Sequence, residues 1–151
     1  MSGDALRQLE LAAGCLRMQI AGDINGLEAG QHTLREFLET NAALARGKYQ
    51  ADIAFEEIVA NVIRHAYADF EPGAHPIGVE VTVTDAEIVL RFEDDGPPFD
   101  PVAAPERVPP TSIEAAKGGG WGLVLVRRGA SRMEYARVAD RNRVTICVEN
   151  R

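Results

Sequence analysis

The spacing of apolar and polar residues predicts a strand and then a helix at the start of the chain. Residues Leu16–Ile20 alternate as LRMQI, a pattern typical of a half-buried strand. From Ile24 to about Ala45 the apolar residues recur with a helical period, which predicts a first helix. We expect Gly47 to end this helix, because glycine is a common helix breaker.

The next helix has the clearest pattern in the chain. Its apolar residues fall at positions i, i+3, i+4, i+7, i+8 and i+11, and they are Phe55, Ile58, Val59, Val62, Ile63 and Ala66. This spacing places all of them on one face of an α-helix. The helix is expected to end before the loop DFEPGAHP, where two prolines and a glycine interrupt regular structure.

The second half of the chain reads as two hairpins separated by a loop and a third helix. Strict alternation around Asp85-Ala86, in VEVTV and then IVLRF, predicts an antiparallel hairpin. A long loop with four prolines follows at 100–117, then a helix from Trp121 to about Ala130. The segments MEYARV and RVTICVE predict a second hairpin around the turn ADRN. Helices that group apart from hairpins predict an α+β fold with the helices on one face of the sheet.

Composition and charge restrict the function more than the fold. A length of 151 residues suits one domain over residues 1–151. The net charge of −7 argues against direct binding of nucleic acid. No apolar run approaches the ~20 residues of a membrane helix, and the first residues lack a signal-peptide pattern, so we expect no membrane association and a cytoplasmic location. Cys15 and Cys147 are expected to be reduced thiols, and the three histidines lack the clustering of a zinc site.

One face of the second helix carries candidate catalytic residues. Glu57, Asn61 and Arg64 lie opposite the apolar stripe, at i, i+4 and i+7. They can be read as an ordinary solvated face. The alternative is that the Asn61 carbonyl oxygen is a magnesium ligand beside Glu57, whose carboxylate orients or deprotonates a nucleophile.

Two further segments have both a structural and a functional interpretation. In DDGPPF, Asp94 leaves a buried strand and Gly96 allows close approach of the backbone to a flat ligand, although Asp, Gly and Pro are also common in turns. In GGGWGLVLV, residues Gly118–Val126, a glycine run enters a helix. Bare backbone N–H groups at a helix start suit a phosphate, and a flexible hinge is the alternative. The segment is neither a GxxxxGK[ST] P-loop nor part of a βαβ unit.

The three motifs, in this order, resemble the ATPase domain shared by gyrase, the large ATP-dependent chaperones, histidine kinases and mismatch-repair ATPases. The resemblance is greatest to the bacterial anti-sigma-factor serine/threonine-protein kinases. It rests on EIVANVIRHAY at 57–67, DDGPPFDP at 94–101 and GGWGLVLVR at 119–127, and it spans about residues 15–149. It implies a two-layer α/β sandwich of the GHKL (histidine-kinase-like) type, with helices on one face of a mixed, mostly antiparallel sheet.

The resemblance also implies roles for individual residues. Asn61 would bind Mg²⁺ between the nucleotide phosphates, and Glu57 would be the general base that takes the proton of a substrate serine. Asp94 would accept a hydrogen bond from the adenine amino group, with Gly96 giving room for the base. Asp94 is assigned this role rather than Asp95 because it lies two residues before the glycine.

The remaining site residues belong to the lid and the third helix. The loop at about 100–117 would be the ATP lid. The phosphates would be contacted at the helix start by Gly118, Gly119, Gly120, Gly122 and Leu123. Arg64 and His65 either reach the phosphates or cap their own helix. Trp121 either packs under the lid or fills the core.

By this resemblance the protein is an ATP-binding serine-protein kinase that acts in partner switching, with ATP or ADP and Mg²⁺ as ligands. It would transfer the γ-phosphate to a serine of an anti-anti-sigma-type antagonist, bind a sigma factor as a second partner, and form a homodimer. Ala60 and Trp121 depart from the pattern usual in the family. Two alternatives stay open: a non-catalytic, nucleotide-responsive anti-sigma module, and a histidine-kinase catalytic domain. The latter would need a partner chain, since only His32 precedes the motif.

Overall fold

The computed structural model describes residues 5–103 and 121–151. Within these ranges the strands are β1 (Leu6–Ala12), β2 (Cys15–Ala21), β3 (Pro76–Val83), β4 (Glu87–Asp94), β5 (Arg132–Val138) and β6 (Arg141–Glu149). The helices are α1 (Ile24–Asn41), α2 (Ala45–Asn61) and α3 (Trp121–Gly129), and α2 continues into a π-helical segment, Val62–Ala66. Every helix among these residues is too short or too polar to form a membrane span.

The six strands form one sheet in the order β1-β2-β3-β4-β6-β5. All five pairings are antiparallel. Among the described residues the sheet is therefore wholly antiparallel, whereas a mixed, mostly antiparallel sheet is expected from the resemblance. Three pairs are hairpins, which are antiparallel by construction. Two helices, α1 and α2, separate β2 from β3. The chain therefore runs along the sheet twice, in opposite directions, before β3, and β3 pairs antiparallel with β2.

The core lies between the sheet and the helices, as the alternation predicted. Its strand residues are Leu16, Met18, Ile20, Ile77, Val79, Val81, Ile88, Leu90, Phe92, Val144, Ile146 and Val148. The helices complete it with Leu34, Phe37, Leu38, Phe55, Ile58 and Val59. Phe55 of α2 packs on Phe92 of β4 with ring centroids 6.1 Å apart. The predicted α+β architecture with helices on one face is confirmed.

The boundary between the first two helices differs from the prediction. The chain leaves the helical conformation at 42–44, and Gly47 lies buried inside α2 rather than at a helix end. The break is held by a distant residue: Asn150 Oδ1 accepts hydrogen bonds from the backbone N–H groups of Ala43 and Leu44, at 3.0 and 3.4 Å. These bonds satisfy amides near the start of α2, where Leu44 offers no side-chain cap.

The sequence pattern did not predict β1. This strand lies at the edge of the sheet and most of its residues are exposed, including Leu9 and Leu11. An edge strand that buries little leaves a weak alternation in the sequence. Its pairing with β2 also shifts register between Leu6 and Gln8.

The turn between β5 and β6 is shorter than predicted. Only Ala139 and Asp140 lie outside the strands, and both have positive φ, 50° and 61°. Positive φ at both central residues is the signature of a type I′ hairpin turn. Asn142 therefore belongs to β6, where it pairs with Asp94 at the end of β4.

We expect Gly47→Ala to destabilise the protein by about 1–3 kcal/mol, although the same change at an exposed helix position stabilises by about 1 kcal/mol. The added Cβ would lie 2.5 Å from the carbonyl oxygen of Glu149, which is backbone and cannot move aside easily. Urea unfolding measures the difference. Tyr49→Ala on the same helix, at a side chain 66% exposed, is the control and should change stability by less than about 0.5 kcal/mol. Equal stabilities for wild type and Gly47→Ala would contradict the packing argument.

Candidate functional site

The three sequence motifs meet along α2 and its π-helical end. The turn after β4 packs on the end of the π-helical segment, since a Cβ on Gly96 would lie 2.7 Å from the Cβ of Ala66. The first turn of α3 packs on the middle of α2, since a Cβ on Gly122 would lie 1.6 Å from Cδ of Glu57. Each contact needs a glycine for the backbone to approach this closely. The two contacts place Glu57 and Asn61 between α3 and the β4 turn.

Asn61 is buried, with 7% of its surface exposed, and only one end of its amide is used by the protein. Its Nδ2 donates a hydrogen bond to the carbonyl oxygen of Glu57 at 2.7 Å. No described residue donates to its Oδ1. The π-helical segment begins at the next residue, Val62, and such segments are frequent at functional sites. Asn61 therefore presents a free carbonyl oxygen, the atom type that Mg²⁺ binds.

Glu57 holds its carboxylate half-buried against the start of α3. Burial raises the pKa of Glu57, while the positive charge of Arg64 lowers it and the negative charge of Glu56 raises it. A carboxylate with a raised pKa is a stronger base. No described residue donates a hydrogen bond to it, so its oxygens are free to take a proton.

Asp94 ends β4 and is 4% exposed. Its Oδ1 accepts two hydrogen bonds of 2.9 Å, from the Gly96 N–H and from Asn142 Nδ2, whereas Oδ2 has no partner among the described residues. Burial raises the pKa of Asp94, and the hydrogen bonds from Asn142 and Gly96 and the charge of Arg137 oppose that rise.

Asp94 Oδ2 and Asn61 Oδ1 belong to buried residues, yet neither oxygen has a hydrogen-bond partner among the described residues. A ligand can therefore satisfy both atoms.

The neighbouring Asp95 turns outward. Its carboxylate forms an ion pair with Arg141 at 2.8 Å, and its N–H donates to the Tyr67 hydroxyl at 3.0 Å. Of the two consecutive aspartates, Asp94 is thus the one whose carboxylate faces the interior.

The first residues of the long loop are attached to the same helix end. Phe99 stacks on His65 with ring centroids 5.0 Å apart. Arg64 Nε donates to the carbonyl of Ala60 at 3.4 Å. Asp100 accepts hydrogen bonds from two N–H groups of the residues that follow, and Arg127 of α3 donates to the carbonyls of 101 and 102. His65 therefore supports the start of the loop through its stacking contact with Phe99.

Part of the glycine-rich segment lies outside the described residues. The residues outside the described ranges are Gly118, Gly119 and Gly120 and also residues 104–117 of the predicted lid at about 100–117; nothing is described of the Trp121 side chain. The predicted helix is confirmed over the described residues Trp121–Gly129. Gly122 and Leu123 lie in the first described turn of this helix, and the Leu123 side chain packs against the core.

Two residues that support the site were not singled out from the sequence. The Tyr67 hydroxyl donates to the Pro76 carbonyl at 2.5 Å while accepting from Asp95. Asn142, 1% exposed, bonds directly to Asp94. The Tyr67 contact crosses 28 residues and the Asn142 contact 48 residues, so neither leaves a local pattern in the sequence.

Comparison with known proteins gives the class to which this architecture belongs. The family model described as "Histidine kinase-like ATPase domain" matches residues 21–148. This range is most of the chain, and the protein therefore belongs to the histidine kinase-like ATPase family.

A curated relative narrows the class, and a solved structure shares the fold. The chain is 31% identical over 104 residues to the serine/threonine-protein kinase BtrW of Bordetella bronchiseptica, covering 68% of this chain and 70% of that protein. It shares its fold with a structure of the RsbU and RsbW domains of Rv1364c from Mycobacterium tuberculosis, with a TM-score of 0.57 and 18% identity. That match covers 89% of this chain and 33% of the other. The resemblance to the anti-sigma-factor serine/threonine-protein kinases is confirmed.

We expect Tyr67→Phe to cost about 1–3 kcal/mol of unfolding free energy. The change strands the Asp95 N–H and the Pro76 carbonyl, which the hydroxyl now joins. Burial raises the pKa of Tyr67, so the hydroxyl stays protonated and able to donate. Urea unfolding measures the loss. Tyr49→Phe is the matched control, because this side chain is 66% exposed; similar costs for both variants would contradict the bridging role.

Proposed function

We propose that this protein is an ATP-dependent serine/threonine-protein kinase that acts in partner switching. It would transfer the ATP γ-phosphate to a serine of an antagonist resembling the anti-anti-sigma factors. The observation that carries the proposal is a pair of groups on α2 that have no partner among the described residues: the Asn61 carbonyl oxygen and the Glu57 carboxylate. They lie one helical turn apart, and Glu57 lies beside Gly122 of α3. Membership of the ATPase family and the match to a serine/threonine-protein kinase support it.

The nucleotide would lie between the β4 turn and the start of α3. Asp94 Oδ2 would accept a hydrogen bond from the adenine amino group, next to Gly96. Backbone N–H groups at the start of α3 would bind the phosphates, where the helix dipole favours negative charge. The residues proposed for this contact are Gly118, Gly119, Gly120, Gly122 and Leu123.

The donor set at Asn61 fits a magnesium ion that arrives with the nucleotide. No group of three His, Cys, Asp or Glu side chains suitable for a metal occurs among the described residues. Mg²⁺ typically takes one or two protein ligands and completes its shell with phosphate oxygens and water. Asn61 Oδ1 would be such a ligand, and the bound ion would neutralise charge on the phosphates.

Glu57 would act as the general base. As the serine Oγ attacks the γ-phosphorus, its proton would pass to the Glu57 carboxylate, and the bond from the γ-phosphorus to the bridging oxygen would break to release ADP. The raised pKa of Glu57 suits this role near neutral pH. Its contact with Gly122 keeps the carboxylate beside the proposed phosphate site.

The proposal includes a location and a second partner. We expect a sigma factor to compete with the antagonist, as partner switching requires. A cytoplasmic location would supply ATP, and the two free cysteines, Cys15 and Cys147, are compatible with a reducing compartment.

Calorimetry with ATP and ADP, with and without Mg²⁺, tests the nucleotide site. We expect Mg²⁺-dependent binding by wild type and at least about tenfold weaker binding by Asn61→Ala, since ~1.4 kcal/mol of lost ligation is tenfold in affinity. Glu57→Gln should retain binding but slow transfer from labelled ATP to purified anti-anti-sigma-type proteins by about 10²–10⁴-fold. Glu56→Gln, at the exposed neighbouring position, is the control: it should retain binding and slow transfer far less than Glu57→Gln, because Glu56 is the smallest of the causes that set the Glu57 pKa.

The outcomes separate the two candidate functions. Mg²⁺-ATP binding with no phosphoserine on any tested protein, in wild type as in Glu57→Gln, would favour the non-catalytic regulatory module. No nucleotide binding by wild type would contradict both. Gly122→Ala adds a further check. The new Cβ would displace the Glu57 carboxylate without changing the charge of Glu57, so this variant should also slow transfer.

The exposed edge of the sheet supports the proposed homodimer. β1 has no second neighbour among the described strands, and Leu9 and Leu11 are 44% and 62% exposed beside a groove of about 470 Å³ against α1. An edge strand can pair antiparallel with the same strand of a second copy across a twofold axis. We propose that a second copy of the chain covers this edge.

We expect wild type to sediment as a dimer and Leu11→Glu as a monomer, because a buried, unpaired carboxylate in the interface would be costly. Analytical ultracentrifugation over a range of concentrations measures the change. Tyr49→Glu places the same charge at another exposed hydrophobic residue, on α2, and should stay dimeric. A monomeric wild type, or dimers of equal strength in both variants, would contradict an interface at β1.

A further inference from the structure

Asn142 lies at the centre of a buried hydrogen-bond network behind Asp94. Its Oδ1 accepts hydrogen bonds from the Phe99 N–H, the Tyr135 hydroxyl and Arg137 Nη1. Its Nδ2 donates to Asp94 Oδ1 at 2.9 Å and to the carbonyls of Pro97 at 2.8 Å and Gly96 at 3.4 Å. All of these partners belong to β4, β5 or the loop after β4.

Only one orientation of this amide satisfies its neighbours. Rotation by 180° would turn the NH₂ group toward two N–H donors, those of Phe99 and Arg137, and the oxygen toward two carbonyls and a carboxylate. A buried polar network tolerates such mismatches poorly. The Asn142 N–H is therefore fixed on Asp94 Oδ1.

The fixed amide decides which Asp94 oxygen meets a ligand. Oδ1 accepts from both Asn142 and the Gly96 N–H, each at 2.9 Å. These two bonds hold the carboxylate plane and leave Oδ2 as the oxygen without a partner among the described residues. Without Asn142, the carboxylate would keep one anchor and could rotate.

We propose that Asn142 is a positioning residue that holds Asp94 Oδ2 toward the nucleotide base and so gives the site its preference for adenine over guanine. Adenine carries an exocyclic amino donor where guanine carries a carbonyl acceptor. A carboxylate oxygen fixed in place accepts from the first and repels the second. This inference rests on the proposed function, since it concerns the base of the proposed ATP substrate.

The edge strand β5 holds Asn142 in turn. Tyr135 and Arg137 both donate to Asn142 Oδ1, and Arg137 Nη1 also donates to the Gly96 carbonyl at 2.7 Å. Arg137 thus reaches the turn after Asp94 directly and Tyr135 reaches it through Asn142, although among the described strands β5 pairs only with β6. The network joins both strands of the last hairpin to the proposed base site.

The network also sets the pH dependence of binding. The charged and titratable groups around Asp94 are Arg137 from β5, Asp95 beside it, itself paired with Arg141, and the Tyr67 hydroxyl. Burial raises the pKa of Asp94, and the Asn142 bond opposes that rise. Oδ1 is occupied by N–H donors, so a proton adds to Oδ2, the oxygen that adenine needs. Binding of ATP should weaken as pH falls through this pKa, and loss of Asn142 should move the weakening to higher pH.

Calorimetry with Mg²⁺-ATP and Mg²⁺-GTP, from about pH 5 to pH 8, tests the proposal on wild type and Asn142→Ala. We expect the ratio of ATP to GTP affinity to fall at least about tenfold in the variant, and the acid limb of ATP binding to move to higher pH. Asn150→Ala is the matched control. Asn150 is also buried, at 4% exposed, and also bonds to three backbone groups, but these lie far from Asp94. Its removal should lower stability and leave both readouts unchanged.

Tyr135→Phe decides the matter if Asn142→Ala does not fold. It removes one donor to Asn142 Oδ1 and keeps the ring, so the selectivity and the acid limb should move in the same directions by smaller factors. If wild type binds ATP and neither foldable variant changes the selectivity or the acid limb, the positioning role is overturned and the proposed function stands. If wild type binds no ATP, the proposed function fails and takes this inference with it.

Discussion

The packing of α2 against the centre of the sheet is the constraint on which the rest of the site depends. Phe55 is fully buried and its ring lies 6.1 Å from that of Phe92. Because a helix turns once in 3.6 residues, burying one stripe of α2 fixes the direction of the opposite face. That face carries Glu57 and Asn61. The apolar contacts therefore aim the polar groups, and α3 and the β4 turn close around them through glycines.

The site differs from the structural polar networks of the protein in how its polar atoms are used. Both ends of the Asn150 amide form hydrogen bonds with backbone groups, and these bonds connect the end of β6 to the start of α2. Asn61 and Asp94 each use one polar atom in hydrogen bonds within the protein, and the other oxygen has no partner among the described residues. A buried polar group normally finds its partner within the protein, so these two oxygens mark a place for a ligand. Family membership makes a nucleotide the natural ligand.

The antiparallel sheet also links distant parts of the chain to this place. Asp94, the last residue of β4, pairs in register with Asn142, the second residue of β6, and the neighbouring strand β5 supports Asn142 through hydrogen bonds from Tyr135 and Arg137. The arrangement lets a carboxylate remain buried near a proposed base site, because two N–H donors and a nearby arginine offset part of the cost of desolvation. At the opposite edge of the sheet, β1 has no outer neighbour among the described strands and carries two exposed leucines.

The sequence by itself determined the elements with strong periodicity, the order of the motifs and, through them, the family. The stripe from Phe55 to Ala66 and the hairpin alternation report burial, which repeats along the chain and so leaves a local trace. Only the tertiary structure shows that β1 is a strand, that α1 ends at Asn41 and that Gly47 lies inside α2. The supporting roles of Tyr67 and Asn142 are likewise seen only there. The break after α1 is held from residue 150, and Asp94 is held from a residue 48 positions away. Hydrogen bonds of this range depend on how strands and helices meet, and no periodic pattern in the sequence records them.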